Sequence, residues 1–327
     1  MLKHIEIKGY RSLKDVSLDM EPLNVLIGPN GCGKSNFMDV FALLNEAARG
    51  GLGEGILRRG GMPGVRHRSG EAGLEFTLDF ASSGAVGHAE PAFAYAISIG
   101  ARGTFPIILS EDMWVPGWEP ENPDEPDSDG IEVIKEVIMS RGRDTPGKVT
   151  MHFGPLPAPD GPFPAPHEIQ VQSESELAIF QIRNPTEYSR QHGLLRELES
   201  WAHYLPIEVG PESPMRRPQT IRPDLRVFRR CENAVAVLNA VSQTHPDVWG
   251  EMLDVLKITC PDLRDIRFPP QGGDGKVILS WLERPFENKA GFSPDDLSDG
   301  AMRMLALVAI LMSPDPPPLI CIDEPEL

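Results

Sequence analysis

The chain has 327 residues and a formal net charge of −17 at pH 7. That length can bury one large core or two modest ones without disulfides or structural metal, and the acidity repels nucleic acid at long range, so any contact with it needs a local basic patch. Cys32, Cys231, Cys260 and Cys321 form no C-x-x-C pair and have no histidine at ligand spacing, which argues for a reducing compartment and against zinc.

The first residues, Met1 to Glu6, alternate apolar and polar with no apolar signal-peptide core, and Ile5 and Ile7 share one strand face. Val16 to Met20 alternates again. Leu23-Asn24-Val25-Leu26-Ile27 is a short apolar run that predicts a buried strand, and Asn36 to Leu44 has helical spacing. Gly50 to Gly73 reads as irregular, and Leu74–Phe80 and Ala92–Ile99 as antiparallel strands. Between Arg102 and Lys135 there is no basic residue. Glu111, Asp112, Glu119, Glu121, Asp124, Glu125, Asp127 and Asp129 fall there among prolines, which predicts an exposed acidic loop. A second proline-rich stretch covers Gly154 to Pro166. Thr186–Tyr204 predicts a helix with Leu194, Leu195, Leu198, Trp201 and Ala202 as its apolar stripe; Asn233–Val241 and Pro246–Ile258 predict a helical pair. Neither shows sustained heptads, so a globular insertion is expected, not a coiled coil. Met304–Met312 is the longest apolar stretch and too short to span a bilayer, so a cytoplasmic location away from membranes is expected.

Three motifs carry chemistry. Gly28-Pro29-Asn30-Gly31-Cys32-Gly33-Lys34-Ser35, followed by Asn36, is a complete G-x-x-x-x-G-K-S between an expected strand and an expected helix. In such a loop glycines let backbone N–H groups turn around a phosphate, the helix adds its positive end, the lysine reaches the β- and γ-phosphates and the serine hydroxyl holds Mg²⁺. Pro318-Leu319-Ile320-Cys321-Ile322-Asp323-Glu324 is an apolar strand ending in two carboxylates. Asp323 suits a magnesium shell, and Glu324 can accept a proton from an attacking water. Alone it would pass for an ordinary strand end; with the phosphate loop it reads as a Walker B. Leu297-Ser298-Asp299-Gly300-Ala301-Met302-Arg303 precedes the apolar helix, with Ser298 as its N-cap and the bare Gly300 backbone beside an anion-attracting helix end. A capped core helix is the plain alternative for this third motif.

Together these motifs resemble the ATP-binding cassette superfamily, whose signature is L-S-x-G-x-x-[QR]. More closely they resemble the SMC/RecF/OLD-like, AAA-like ATPases, to whose amino-terminal strands Ile5–Leu18 is similar and whose Walker B ends in the same I-D-E-P-E-L. The resemblance covers both ends of the chain and only loosely its middle. It implies an α/β P-loop NTPase, an ABC-type head with a mixed β sheet, an antiparallel β lobe and a helical insertion carrying the signature. The lobe with Walker A would occupy 1–100, the insertion 101–290, and the signature helix with the Walker B strand 291–327. It further implies ATP and Mg²⁺ as cofactors, Lys34 and Glu324 as catalytic residues, Ser35 and Asp323 as metal holders, and a homodimer in which Ser298 and Gly300 of one head complete the γ-phosphate site of the other. Closure would act on DNA or an effector protein. Arg11 would approach the phosphates, or be an ordinary surface arginine. Gln181 and Gln219 are the unsupported candidates for the family's Q-loop glutamine. The family's D-loop and switch histidine follow Walker B and are not in this sequence. That leaves two other expectations: a nucleotide-binding regulatory subunit with little turnover, or a fragment of a longer ATPase or ATPase–nuclease.

Two weaker signals remain. Arg216, Arg217, Arg222, Arg226, Arg229 and Arg230 cluster around Phe228 as a DNA-contacting patch or, the favoured expectation, a solvated loop paired with the protein's own carboxylates. Glu125 to Gly130 mimics a calcium loop, but Pro126 and the lack of a preceding helix tell against it.

Overall fold

Apolar alternation in Leu2–Tyr10 (β1) buries Ile5 and Ile7, and the chain turns through Arg11 into Leu13–Asp19 (β2), which pairs with β1 antiparallel. The computed structural model describes residues 1–69, 73–81, 92–115, 136–143, 147–151, 166–182, 184–273, 275–284 and 291–326. Their contacts form two compact units, Met1–Trp201 and Ala202–Leu327. The three segments set out by motif order are a different division, one of sequence alone.

In the first unit a glycine loop leads into Lys34–Ala48 (α1), followed by the short helices Leu52–Arg58 (α2) and Gly61–Val65 (α3). The strands Leu74–Phe80 (β3), Phe93–Arg102 (β4), Phe105–Val115 (β5), Glu136–Arg141 (β6), Lys148–Met151 (β7) and His167–Gln170 (β8) follow, then Ala178–Gln181 (α4) and Ser189–Ser200 (α5). Among the described residues the strands form one sheet in the order β2-β1-β3-β4-β5-β6-β7-β8, every neighbouring pair antiparallel. The close approach of β1 to the start of β3 requires Gly9: at φ 75° a Cβ there would lie 2.5 Å from the Gly73 carbonyl oxygen.

Helix α1 buries Phe37, Val40, Phe41, Leu43 and Leu44. Phe41 meets Phe37 and Trp201 edge to face, at centroid distances of 5.3 and 5.5 Å. At the carboxyl end of α5 the Asn45 amide nitrogen donates to the carbonyls of Leu198, Glu199 and Trp201, and Arg49 adds a second bond to Glu199. Asn45 and Arg49 thereby add donors at the end of α5, where the intrahelical ladder runs out. The helix that carries the phosphate loop is anchored along its length.

In the second unit Ala202–Tyr204 (β9) and Gln219–Thr220 (β10) precede the helices Ala234–Thr244 (α6) and Pro246–Thr259 (α7). Leu263–Arg267 (β11), Pro270–Gln271 (β12), Lys276–Val277 (β13) and Ser280–Glu283 (β14) follow, then Asp299–Leu311 (α8) and Ile320–Ile322 (β15). Ala234 to Val241 are all buried, as their almost unbroken apolar run demands, and Leu305, Ala306 and Ile310 of α8 share their core. Strands β9 and β15 pair in parallel, so the parallel pairing is a two-stranded element apart from the antiparallel sheet.

Four expectations change. Leu23 to Ile27 form no strand: Leu23 is 81%, Val25 71% and Ile27 90% exposed. Among the described residues no strand pairs with this segment, and without a ladder partner an apolar run has no reason to be a buried strand. Gly50–Gly73 is partly ordered into α2 and α3. The expected helix Thr186–Tyr204 stops at Ser200, because Ala202–Tyr204 bond to β15 instead. Glu111 and Asp112 lie not in a loop but in β5, and Glu111 is wholly buried. Its carboxylate accepts the Ala178 and Ile179 N–H groups at 2.6 and 3.1 Å and the Tyr95 hydroxyl at 2.8 Å, with the equally buried Arg141 guanidinium 3.8 Å away. The rest of the acidic stretch, 116–135, with its calcium-loop mimic, and most of the second proline-rich stretch lie outside the described residues.

Removing Glu111 takes the nearest countercharge from a buried guanidinium and the acceptor from two amides. Glu111→Ala is expected to lower unfolding free energy by about 3–5 kcal/mol, read from urea denaturation.

Candidate functional site

The phosphate loop, residues 28–35, turns on two glycines in the left-handed region, Gly31 at φ 81° and Gly33 at φ 108°. Gly33 also lacks room for a side chain: a Cβ there would lie 2.6 Å from the Ser12 hydroxyl and 3.3 Å from a Leu13 methyl. Its αL conformation starts α1, whose amino terminus has no side-chain cap. A fifteen-residue helix therefore presents its first N–H groups and the positive end of its dipole to the loop. The Lys34 ammonium folds back over the loop, donating to the Gly28 carbonyl at 2.6 Å and to Pro29 at 3.2 Å. Ser35 is exposed one residue further on. An uncapped helix end, a lysine above it and a serine in its first turn fit a polyphosphate with its magnesium. Cys32 is exposed in the same loop.

The neighbouring turn between β1 and β2 is tied to α1. The Asn36 amide donates to the Ser12 hydroxyl at 2.7 Å, a contact that the sequence alone did not single out. Among the described residues Arg11 is one of three non-glycine residues with positive φ, at 48°, and its guanidinium lies 5.6 Å from the Tyr10 ring centroid. That guanidinium pairs with the Asp39 carboxylate at 2.8 Å and reaches Asn36 at 3.4 Å. Arg11 thus stands beside the first turns of α1 with its charge matched by Asp39.

Asp39 serves three donors. Besides Arg11 it accepts the Tyr10 hydroxyl at 2.7 Å and the Arg59 Nε at 2.9 Å, and Arg59 also bonds Glu46 at 2.7 Å. Burial alone would raise the Asp39 pKa, but the bonds from Arg59 and Tyr10 and the charges of Arg59 and Arg11 bring it below the ordinary 3.8. Burial and the adjacent Asp39 push the Tyr10 phenol well up.

In the second unit β15 delivers the paired carboxylates. Ile320, Cys321 and Ile322 pair with Ala202, His203 and Tyr204, and the Asp323 N–H continues the ladder to the Tyr204 carbonyl at 3.1 Å. Burial pushes the Cys321 thiol up to about 12, so it stays protonated as a packing group. Glu324 then leaves the strand direction with φ 48°, a left-handed backbone that costs a non-glycine residue about 1–2 kcal/mol. Such a conformation is concentrated at functional sites. The Ser298 hydroxyl accepts the Ala301 N–H at 3.2 Å as the expected N-cap of α8, and Gly300 is exposed in the first turn. Arg303, in the second turn of α8, donates to the Glu326 carbonyl at 2.8 Å.

Other candidates resolve differently. Gln181 accepts the Gln172 and Ser173 N–H groups and donates to the Ser173 carbonyl, while Gln219 joins the Ala236 N–H to the Pro214 carbonyl; both amides brace their own backbone. In the arginine cluster Arg217 pairs with Glu212, Arg226 with Asp315 and Arg229 with His203, while Arg222 lies over Phe228. Arg216 is buried and belongs to no surface patch. Among the described residues no group of three or more histidine, cysteine or acidic side chains is placed to hold a metal, and no helix is long and apolar enough to cross a membrane.

Asp39→Asn is expected to destabilise the chain at pH 7 by about 1.5–3 kcal/mol, because Glu46 still balances Arg59. The folded-state pKa of Asp39 is depressed, so its contribution is complete above the ordinary 3.8 and lost as pH falls through the lower folded value. Urea denaturation of both proteins should therefore show the difference narrowing below pH 3.8.

Comparison with known proteins bears on the amino-terminal part. Residues 1–55 match the AAA ATPase domain family. An OLD nuclease of Thermus scotoductus is 39% identical over 44 residues, which is 14% of this chain and 8% of that protein. The crystal structure of an SMC head bound to the C-winged helix domain of ScpA aligns with 95% of this chain and 75% of its own, at 12% identity and a TM-score of 0.44, too low to carry an argument. The phosphate loop thus lies in the part of the chain, residues 1–55, that is similar to AAA ATPase domains.

Proposed function

We propose that the chain is an ATP-binding, Mg²⁺-dependent ATPase head that dimerises on nucleotide. The observation that carries this reading is the phosphate loop: left-handed Gly31 and Gly33, the uncapped start of α1, and Lys34 held over the loop by the Gly28 carbonyl. In this reading the loop amides cradle the β-phosphate, and Lys34 exchanges its carbonyl partners for β- and γ-phosphate oxygens. Ser35 and Asp323 would hold a magnesium ion, which would supply positive charge beside the phosphate oxygens. Glu324 accepts the proton of the attacking water, and its left-handed backbone supports a functional rather than a packing role. Arg11 faces the same phosphates from beside α1, with Asp39 as its counter-ion until then.

Ser298 and Gly300 complete the γ-phosphate site of a second copy. The Ser298 hydroxyl, already an acceptor for Ala301, keeps its own hydrogen to donate to an anion, and Gly300 leaves the helix backbone open. Two such heads enclosing two nucleotides form a homodimer.

Lys34→Ala is expected to abolish binding of a fluorescent ATP analogue. Glu324→Gln should keep that binding, slow phosphate release by roughly 10²–10⁴-fold and accumulate an ATP-dependent dimer in size-exclusion chromatography. Turnover at the wild-type rate in Glu324→Gln would remove that residue from the mechanism, and unchanged binding in Lys34→Ala would remove the ATP site.

A further inference from the structure

Arg216 is the last residue of a 3-10 turn, Pro214–Arg216, and its side chain is buried. Its Nε donates to the Val209 carbonyl at 2.8 Å. One terminal nitrogen, Nη1, donates to the Pro294 carbonyl and, at 3.0 Å, to the Leu297 carbonyl. The other, Nη2, meets the Asp299 carboxylate at 2.7 Å. Three of these four partners belong to the six residues from Pro294 to Asp299, the segment that leads into Ser298 and Gly300. The same segment is closed at its start, where Ser293 and Asp296 exchange bonds around the 3-10 turn Pro294–Asp296.

Burying a guanidinium beside the amino terminus of α8 is costly by two routes, desolvation and like-signed interaction with the helix dipole. Asp299 supplies the countercharge, yet its side chain is 64% exposed. A surface carboxylate pairs weakly, so stability alone gives little reason to bring a buried arginine to it. Setting a loop is a better account: a planar fork with five donors fixes several acceptors in one geometry, which no other side chain can do.

We propose that Arg216 is a positioning residue for the signature segment. By binding the Pro294 and Leu297 carbonyls and the Asp299 carboxylate, it holds the backbone from Leu297 to Gly300 in the form that meets a nucleotide's terminal phosphate. This rests on the ATPase reading above, and concerns turnover rather than nucleotide capture by the phosphate loop.

The test measures analogue affinity and turnover side by side on the full chain. Arg216→Lys keeps the charge, but one ammonium cannot meet four acceptors in three directions. It is expected to lower kcat by roughly 100-fold, with affinity for a fluorescent ATP analogue within about twofold of wild type. Asp299→Asn, at an exposed position, should lower kcat in the same direction by a smaller factor. A folded Arg216→Lys with wild-type kcat would overturn the proposal, as would equal loss of turnover and analogue binding. Should Arg216→Lys fail to fold, Asp299→Asn decides: unchanged kcat there overturns it too. Failure of the underlying reading shows separately, as a wild-type chain that neither binds the analogue nor hydrolyses ATP.

Discussion

The carboxylate of Asp39 sits on α1 where three separate pieces of chain converge: the end of β1 through Tyr10, the β1–β2 turn through Arg11, and the end of α2 through Arg59. Each bond is charge-assisted, and the group is largely shielded from water, so none is screened as a surface pair would be. The phosphate loop has no such internal bracing of its own. Its glycines were selected for freedom, and the only side-chain bonds within it are those of Lys34 to Gly28 and Pro29. What keeps that loop in one place is therefore the anchoring of α1 behind it, by Asp39 near its start, by the Phe41–Trp201 contact at mid-helix and by Asn45 and Arg49 at its end.

The second unit uses related chemistry for its own loop. Where Asp39 is one acceptor for several donors, Arg216 is one donor group for several acceptors. In both, one charged side chain ties together several pieces of its unit beside a motif. The apolar cores do not supply this directional control, because hydrophobic contact sets distance and volume but not the aim of an N–H.

Much of this was legible in the sequence wherever the signal was local. Strand alternation placed β1 to β4, the G-x-x-x-x-G-K-S spacing placed the loop against α1, and Ser298 announced the cap of α8. What escaped was set by partners distant in sequence. Glu111 reads as one more acidic residue in an acidic stretch until Arg141, Tyr95 and the start of α4 fold around it. Arg216 reads as the first of a basic cluster, yet its acceptors lie some eighty residues on. Ala202–Tyr204 continue a helical stripe, and only the approach of β15 makes them a strand. Leu23–Ile27 erred the other way: its apolarity signals a strand, but a strand is a property of a pair.

That last segment gives the protein a colloidal character. Five consecutive residues, Leu-Asn-Val-Leu-Ile, stand in solvent with their backbone bonding groups free for a second chain, the composition and exposure of a self-association template. At pH 7 each copy carries −17, and mutual repulsion holds such templates apart. The sequence pI is about 4.9, so mild acidification discharges the surface before Asp39, whose pKa lies below the ordinary 3.8, begins to protonate. Precipitation near that pH reports the charge of the surface rather than loss of the Asp39 contacts.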